Sequence, residues 1–176
     1  RGLLNALGEE LFQHFAWNFF LEHPSTSYTL NDLGKLFPSY LESTLLENEI
    51  TPESWQLFIL DVAIFERTFT EVYNGEGHEE LVNKHQNNLL QVSPSIVTLD
   101  LKFPVAECIS RFREDTFSEF PEPNKSHYVF TRQNYMVKVY RLEESEYQAL
   151  LEWKSEVLVS SPEMYTQKWK AIGVGY

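Results

Sequence analysis

The chain has 176 residues, 43% hydrophobic and 23% charged, with a formal net charge of −12, enough for one domain or two small ones with ordinary cores. No run approaches the 18 apolar residues of a membrane span, and Arg1 opens an apparent helix rather than a signal peptide. A polyanion repels nucleic-acid phosphates unless a basic patch overrides its field, and the densest basic spots, Arg111 with Arg113 and Lys138 with Arg141, have acidic neighbours.

Leu4, Leu7, Leu11, Phe15 and Phe19 recur at three-to-four spacing and predict a helix over 3–21. Phe12, Trp17 and Phe20 widen its apolar face, which predicts burial on more than one side. Pro24 pushes His23 out of helical geometry and ends it. Thr29 with Asp32 reads as a variant capping box for a short helix that Pro38 stops at Phe37, with a further turn over 39–44. Thr51-Pro52-Glu53 is a stronger start: a hydroxyl N-cap, a proline at the first helical position and an acid facing the positive helix end. From there Trp55, Phe58, Ile59, Val62, Phe65, Phe69 and Val72 form one stripe, closed by Asn74-Gly75. Residues 1–75 thus read as an all-helical domain.

Residues 76–93 read as a linker, with a short helix over 81–90. In 94–176 the pattern changes. Val97, Leu99, Leu101 and Phe103 alternate with polar residues and predict a strand; Pro104 opens a helix to Glu114. A loop follows, pinned by Phe117 and Phe120. His127–Thr131 and Tyr135–Leu142 predict a hairpin around 132–134. A helix with Tyr147, Leu150, Leu151 and Trp153 comes next, and a last one starts near Ser161-Pro162-Glu163 with Tyr165 and Trp169. The expected fold is α+β: an all-helical domain, then a winged-helix-like domain with a three-stranded antiparallel sheet and helices.

Nothing advertises catalysis. His14, His23, His78, His85 and His127 contain no pair at helical ligand spacing, so no metal site is expected. Asp61 and Glu66, five apart on a helix, point some 140° from each other and cannot form a carboxylate pair on one face; salt bridges are the expected role. No phosphate-binding glycine loop or nucleophile motif is present. The single cysteine, Cys108, lies among Val105, Ala106 and Ile109 and reads as a small buried hydrophobe; one cysteine fits a reducing cytosol.

The segment EHPSTSYTLNDLGKLFPSYL, followed by LDVAIFERTF, SPSIVTLDLKFPVAECI and YVFTRQNYMVKVYRLEESEYQALLEW, resembles in order and spacing the HvfC/BufC-type family, once labelled a DNA-binding domain. The resemblance runs from about Leu3 to Trp153; the helical segment that members carry before the position of Arg1 is not in this sequence. It implies a non-catalytic partner of a multinuclear non-haem iron oxygenase in the maturation of ribosomally made peptides such as bufferins, methanobactin or thioglycine-containing products. The iron then belongs to the oxygenase, and no cofactor is expected in this chain. The partner binds the precursor's leader, docks on the oxygenase and works in the cytoplasm.

A peptide can add as a strand to an open sheet edge. The expected groove is the edge from Tyr135 to Arg141 with the facing helix, lined by Tyr135, Val137, Val139 and Tyr147, with Lys138 and Arg141 meeting an acidic leader. The valines and Tyr147 fit a plain core equally well. For oxygenase docking the candidates are the aromatics Phe20, Tyr28, Tyr40 and Trp55. A winged-helix DNA-binding regulator is the alternative, opposed by the −12 charge and the lack of a basic recognition helix. An enzyme with dispersed catalytic residues is a third reading without positive support.

Overall fold

The computed structural model describes residues 1–25, 31–47, 51–75, 92–114, 116–117, 119–155 and 163–175. Among these the fold is α+β, with seven helices and a three-stranded antiparallel sheet. In chain order the elements are α1 (Gly2–Leu7), α2 (Glu9–Glu22), α3 (Phe37–Leu46), α4 (Ser54–Asn74), β1 (Val97–Leu101), α5 (Val105–Arg113), β2 (Ser126–Gln133), β3 (Met136–Leu142), α6 (Glu144–Lys154) and α7 (Glu163–Ile172). Tyr28, the Thr29 cap, the helix over 81–90, His78, His85 and the Ser161-Pro162 start lie outside the described residues. No described helix is long and apolar enough to cross a membrane.

The chain forms two compact units, 1–70 with 101–125 and 71–100 with 126–176. The partition differs from 1–75, a 76–93 linker and 94–176, because the segment carrying α5 groups with the N-terminal helices. The tie is Asp61, buried on α4: its Oδ2 accepts the backbone N–H of Lys102 at 2.7 Å and of Phe103 at 3.0 Å. Those bonds turn the chain out of β1 at Leu101, two residues before the expected strand end. Phe103 then meets Phe58 edge-on, and Phe117 and Phe120 meet the same ring, at centroid distances of 5.5, 6.2 and 5.7 Å. The loop is pinned as its aromatics predict.

Three local expectations in this unit are corrected. The helix over 3–21 is two helices, because Gly8 sits at φ 76°, ψ 163° between α1 and α2, a region open essentially to glycine alone. Pro38 does not stop a helix; it lies in the first turn of α3, where its missing N–H has no intrahelical partner to lose. The start of α4 is capped by Gln56, not Thr51: its Oε1 accepts the N–H of Glu53 at 2.7 Å, half of a capping box. The Gln56 amide also donates to the Leu45 carbonyl at the end of α3.

The second unit is built on the sheet, in the order β1-β2-β3. α6 and α7 supply Tyr147, Leu150, Trp153 and Trp169, which share a core with Ile96, Val129, Leu142 and Val174. Trp169 stacks between Trp153 and Tyr165 and donates its indole N–H to Glu146 at 3.0 Å. Glu146 is buried; Lys168, 2.5 Å away, supplies its counter-charge. Gly173, at φ 80°, ends α7, with Val174 N–H on the Trp169 carbonyl, a Schellman closure. A side chain at Gly173 would collide with that of Gln133.

Candidate peptide-binding edge and docking face

The hairpin turn is the two-residue Asn134-Tyr135, since Gln133 pairs with Met136. Both turn residues have positive φ, 50° and 63°, the requirement of the tight turn that matches strand twist. Tyr135 is therefore a turn residue, not the first residue of β3, and it is 71% exposed. Glycine is what this position favours, and a bulky residue at positive φ is uncommon. The Arg132 guanidinium lies 5.6 Å from the Tyr135 ring centre. Arg132 Nη1 also donates to the carbonyls of Tyr73, at 3.0 Å, and Gly75, placing a cation at the negative end of α4.

The register decides what β3 can offer. In a two-residue hairpin the pair flanking the turn is hydrogen-bonded and such pairs alternate. Met136, Lys138, Tyr140 and Leu142 thus bond toward β2, while the main-chain N–H and C=O of residues 137, 139 and 141 point away from it. β3 ends the strand order, so that side is an edge among the described strands.

Side chains alternate between faces as well. Leu142 and Tyr140, paired with His127 and Val129, lie on the face packed by α6. Val137, Val139 and Arg141, paired with Arg132, Phe130 and Tyr128, lie on the other. The expected groove of Val137 and Val139 with Tyr147 is corrected accordingly: the sheet separates them. Tyr147 is buried and stacked on His127 at 4.3 Å. Val137 and Val139 are half-buried, and Lys138 and Arg141 are exposed on opposite faces. What the structure brings together along β3 is a main-chain edge with two valines on one face and one cation on each.

His127 closes the other end of the hairpin. It is buried, with Nε2 2.6 Å from Glu144 and Nδ1 3.4 Å from Asp100. This links β1, β2 and the start of α6, and leaves the histidine no exposed nitrogen for chemistry. Among the described residues no group of three or more His, Cys, Asp or Glu is arranged to hold a metal ion. Cys108 is buried in α5, and burial, reinforced by Glu107 and opposed by Arg111, pushes its thiol above its ordinary pKa.

In the helical unit the docking candidates separate. Phe20 is 45% exposed. Tyr40 is buried in a ring cluster, 5.5 Å from Phe19 and 5.9 Å from His23, so it is core and not an anchor. Trp55 is half-buried, its indole N–H on Glu53 at 2.6 Å. The residues missed are Trp17 and Leu21, both largely exposed. The expectation that α2 is buried on more than one side is corrected: Phe15 and Phe19 face inward, while Trp17 and Leu21, four apart on the opposite side, do not. The signal was present as an apolar arc wider than one helix contact needs.

Comparisons with protein-family models, with curated proteins and with solved structures found no match.

Proposed function

We propose that this chain is a non-catalytic partner subunit of a multinuclear iron oxygenase, holding the leader of a ribosomally made precursor peptide while the oxygenase modifies cysteine or a nearby residue. The sheet with α6 and α7 acts as a winged-helix-like recognition element, and the helical unit docks on the oxygenase in the cytoplasm. The observation that carries this reading is the edge of β3, where alternate residues 137, 139 and 141 turn their main-chain groups outward from the hairpin. An added strand gains affinity from those groups and register from side chains beside Val137, Lys138, Val139 and Arg141. Tyr135, held at positive φ and 71% exposed, supports it: a costly conformation at an exposed tip points to a role beyond turn-making. The ordered likeness to the HvfC/BufC-type family supplies the oxygenase and the peptide class.

The test is calorimetry of the chain with a candidate precursor peptide and co-purification with a co-expressed multinuclear iron oxygenase. Binding of both is expected. A well-folded chain that binds neither sinks the reading.

A further inference from the structure

Burial falls off across the hairpin from β2 to β3. On the face away from α6, Tyr128 and Phe130 of β2 are fully buried, while Val139, paired with Phe130, and Val137 are only half-buried. The apolar layer of that face thins at the edge strand. Lys138 stands between the two valines and points to the opposite face, where it is exposed. Its neighbours there in the hairpin are Val129, Thr131 and Gln133 of β2 and Met136 and Tyr140 of β3, none of them acidic. Among the described residues the Lys138 ammonium has no hydrogen bond or ion pair. Arg141, the other cation of β3, already has a contact of its own and lies two residues from Glu143.

An antiparallel strand added beyond β3 bonds to residues 137, 139 and 141. The residue opposite Lys138 then belongs to a non-hydrogen-bonded pair, in which Cα atoms come within about 4.5 Å and side chains meet most closely. Opposite charges attract in such a pair and like charges repel. The residues on either side of it point to the other face, where they extend the layer of Val137 and Val139. A slip of one residue reverses both placements and sets a charge against the valines. The net charge of −12 disfavours a peptide with many acids. Remote charges are screened over about 10 Å at 0.1 M salt, so a single acid in contact with Lys138 still gains. We propose that Lys138 sets the register and specificity of this edge: the bound strand carries one aspartate or glutamate opposite it, with a β-branched apolar residue on each side. The order apolar, acid, apolar reads the same in both directions, so it holds for antiparallel and parallel addition alike. This names the peptide class for the edge proposed above and rests on that reading for strand addition.

The test titrates the full chain with fluorescein-labelled, threonine-rich peptides of about ten residues, read by anisotropy. One carries Val-Glu-Val at its centre and the other Val-Lys-Val. Saturable binding of the first is expected, at least about fivefold tighter than the second. In Lys138→Glu the preference should reverse, a charge swap that a merely structural role does not produce, with thermal melting unchanged because Lys138 is exposed. Equal binding of the two peptides, lost in Val139→Pro, overturns this proposal and leaves the edge reading standing. A preference that persists in Lys138→Glu does the same. Binding of neither peptide overturns the proposal, and a candidate precursor titrated in parallel tells whether the edge reading falls with it. If Lys138→Thr causes self-association in sedimentation while Val-Glu-Val binds as tightly as before, Lys138 only guards the edge against other copies, and the proposal is overturned.

Discussion

Asp61 and Glu66 serve similar ends on different sides of α4. Asp61 accepts two N–H groups beyond β1, and Glu66 accepts those of Gly2 and Leu3 at the start of α1. That they share no face follows from helix geometry and was legible from spacing. Their partners were not, because Lys102 lies 41 residues from Asp61 and Gly2 lies 64 from Glu66. Asp61→Ala strands two N–H groups, one at buried Phe103, and should cost about 2–3 kcal/mol in urea unfolding. Asp61→Asn keeps an acceptor and should cost less; equal losses would show that the bonds are not what matters. Cys108 follows from burial. Its thiol pKa is raised in the folded chain, so folding disfavours the thiolate, and stability should fall as pH rises past the ordinary thiol value of about 8.5. Iodoacetamide should label it slowly in native buffer and quickly in denaturant; fast native labelling would contradict its buried place.

At the scale of elements, glycine and register do the deciding. Gly8 has no atom within 4 Å of an added Cβ, so Gly8→Ala clashes with nothing and tests backbone conformation alone. It should cost about 1–3 kcal/mol, measured by thermal or urea melting. The outward direction of the 139 N–H gives a paired test in β3. Tyr140→Pro removes a bond to β2 and should cost about 1–3 kcal/mol, whereas Val139→Pro should be tolerated far better, as proline is on edge positions. Circular dichroism melts separate the two, and similar losses would mean the register is shifted by one. The hairpin itself was legible in its alternation. The sequence places its turn over 132–134 and the structure at 134–135, because Tyr at positive φ defies the glycine preference that marks such turns.

For the whole molecule, charge and long-range packing set the expectations. With a net charge of −12, the chain should show no salt-sensitive retention of duplex DNA by filter binding or anisotropy at moderate salt; tight binding that weakens steeply with salt would favour the regulator reading instead. Apart from the break at Gly8 and the place of Pro38, the sequence by itself determined the described helices, the strands, the hairpin and their order, because periodicity, caps and alternation act within a few residues. Only the tertiary structure decided that 101–125 groups with the N-terminal helices, that Tyr40 is core while Trp17 is bare, and that Val139 and Tyr147 lie on opposite faces of the sheet. Those outcomes depend on which distant segment covers a given apolar face, and a local pattern records that a face is apolar without recording what, if anything, covers it.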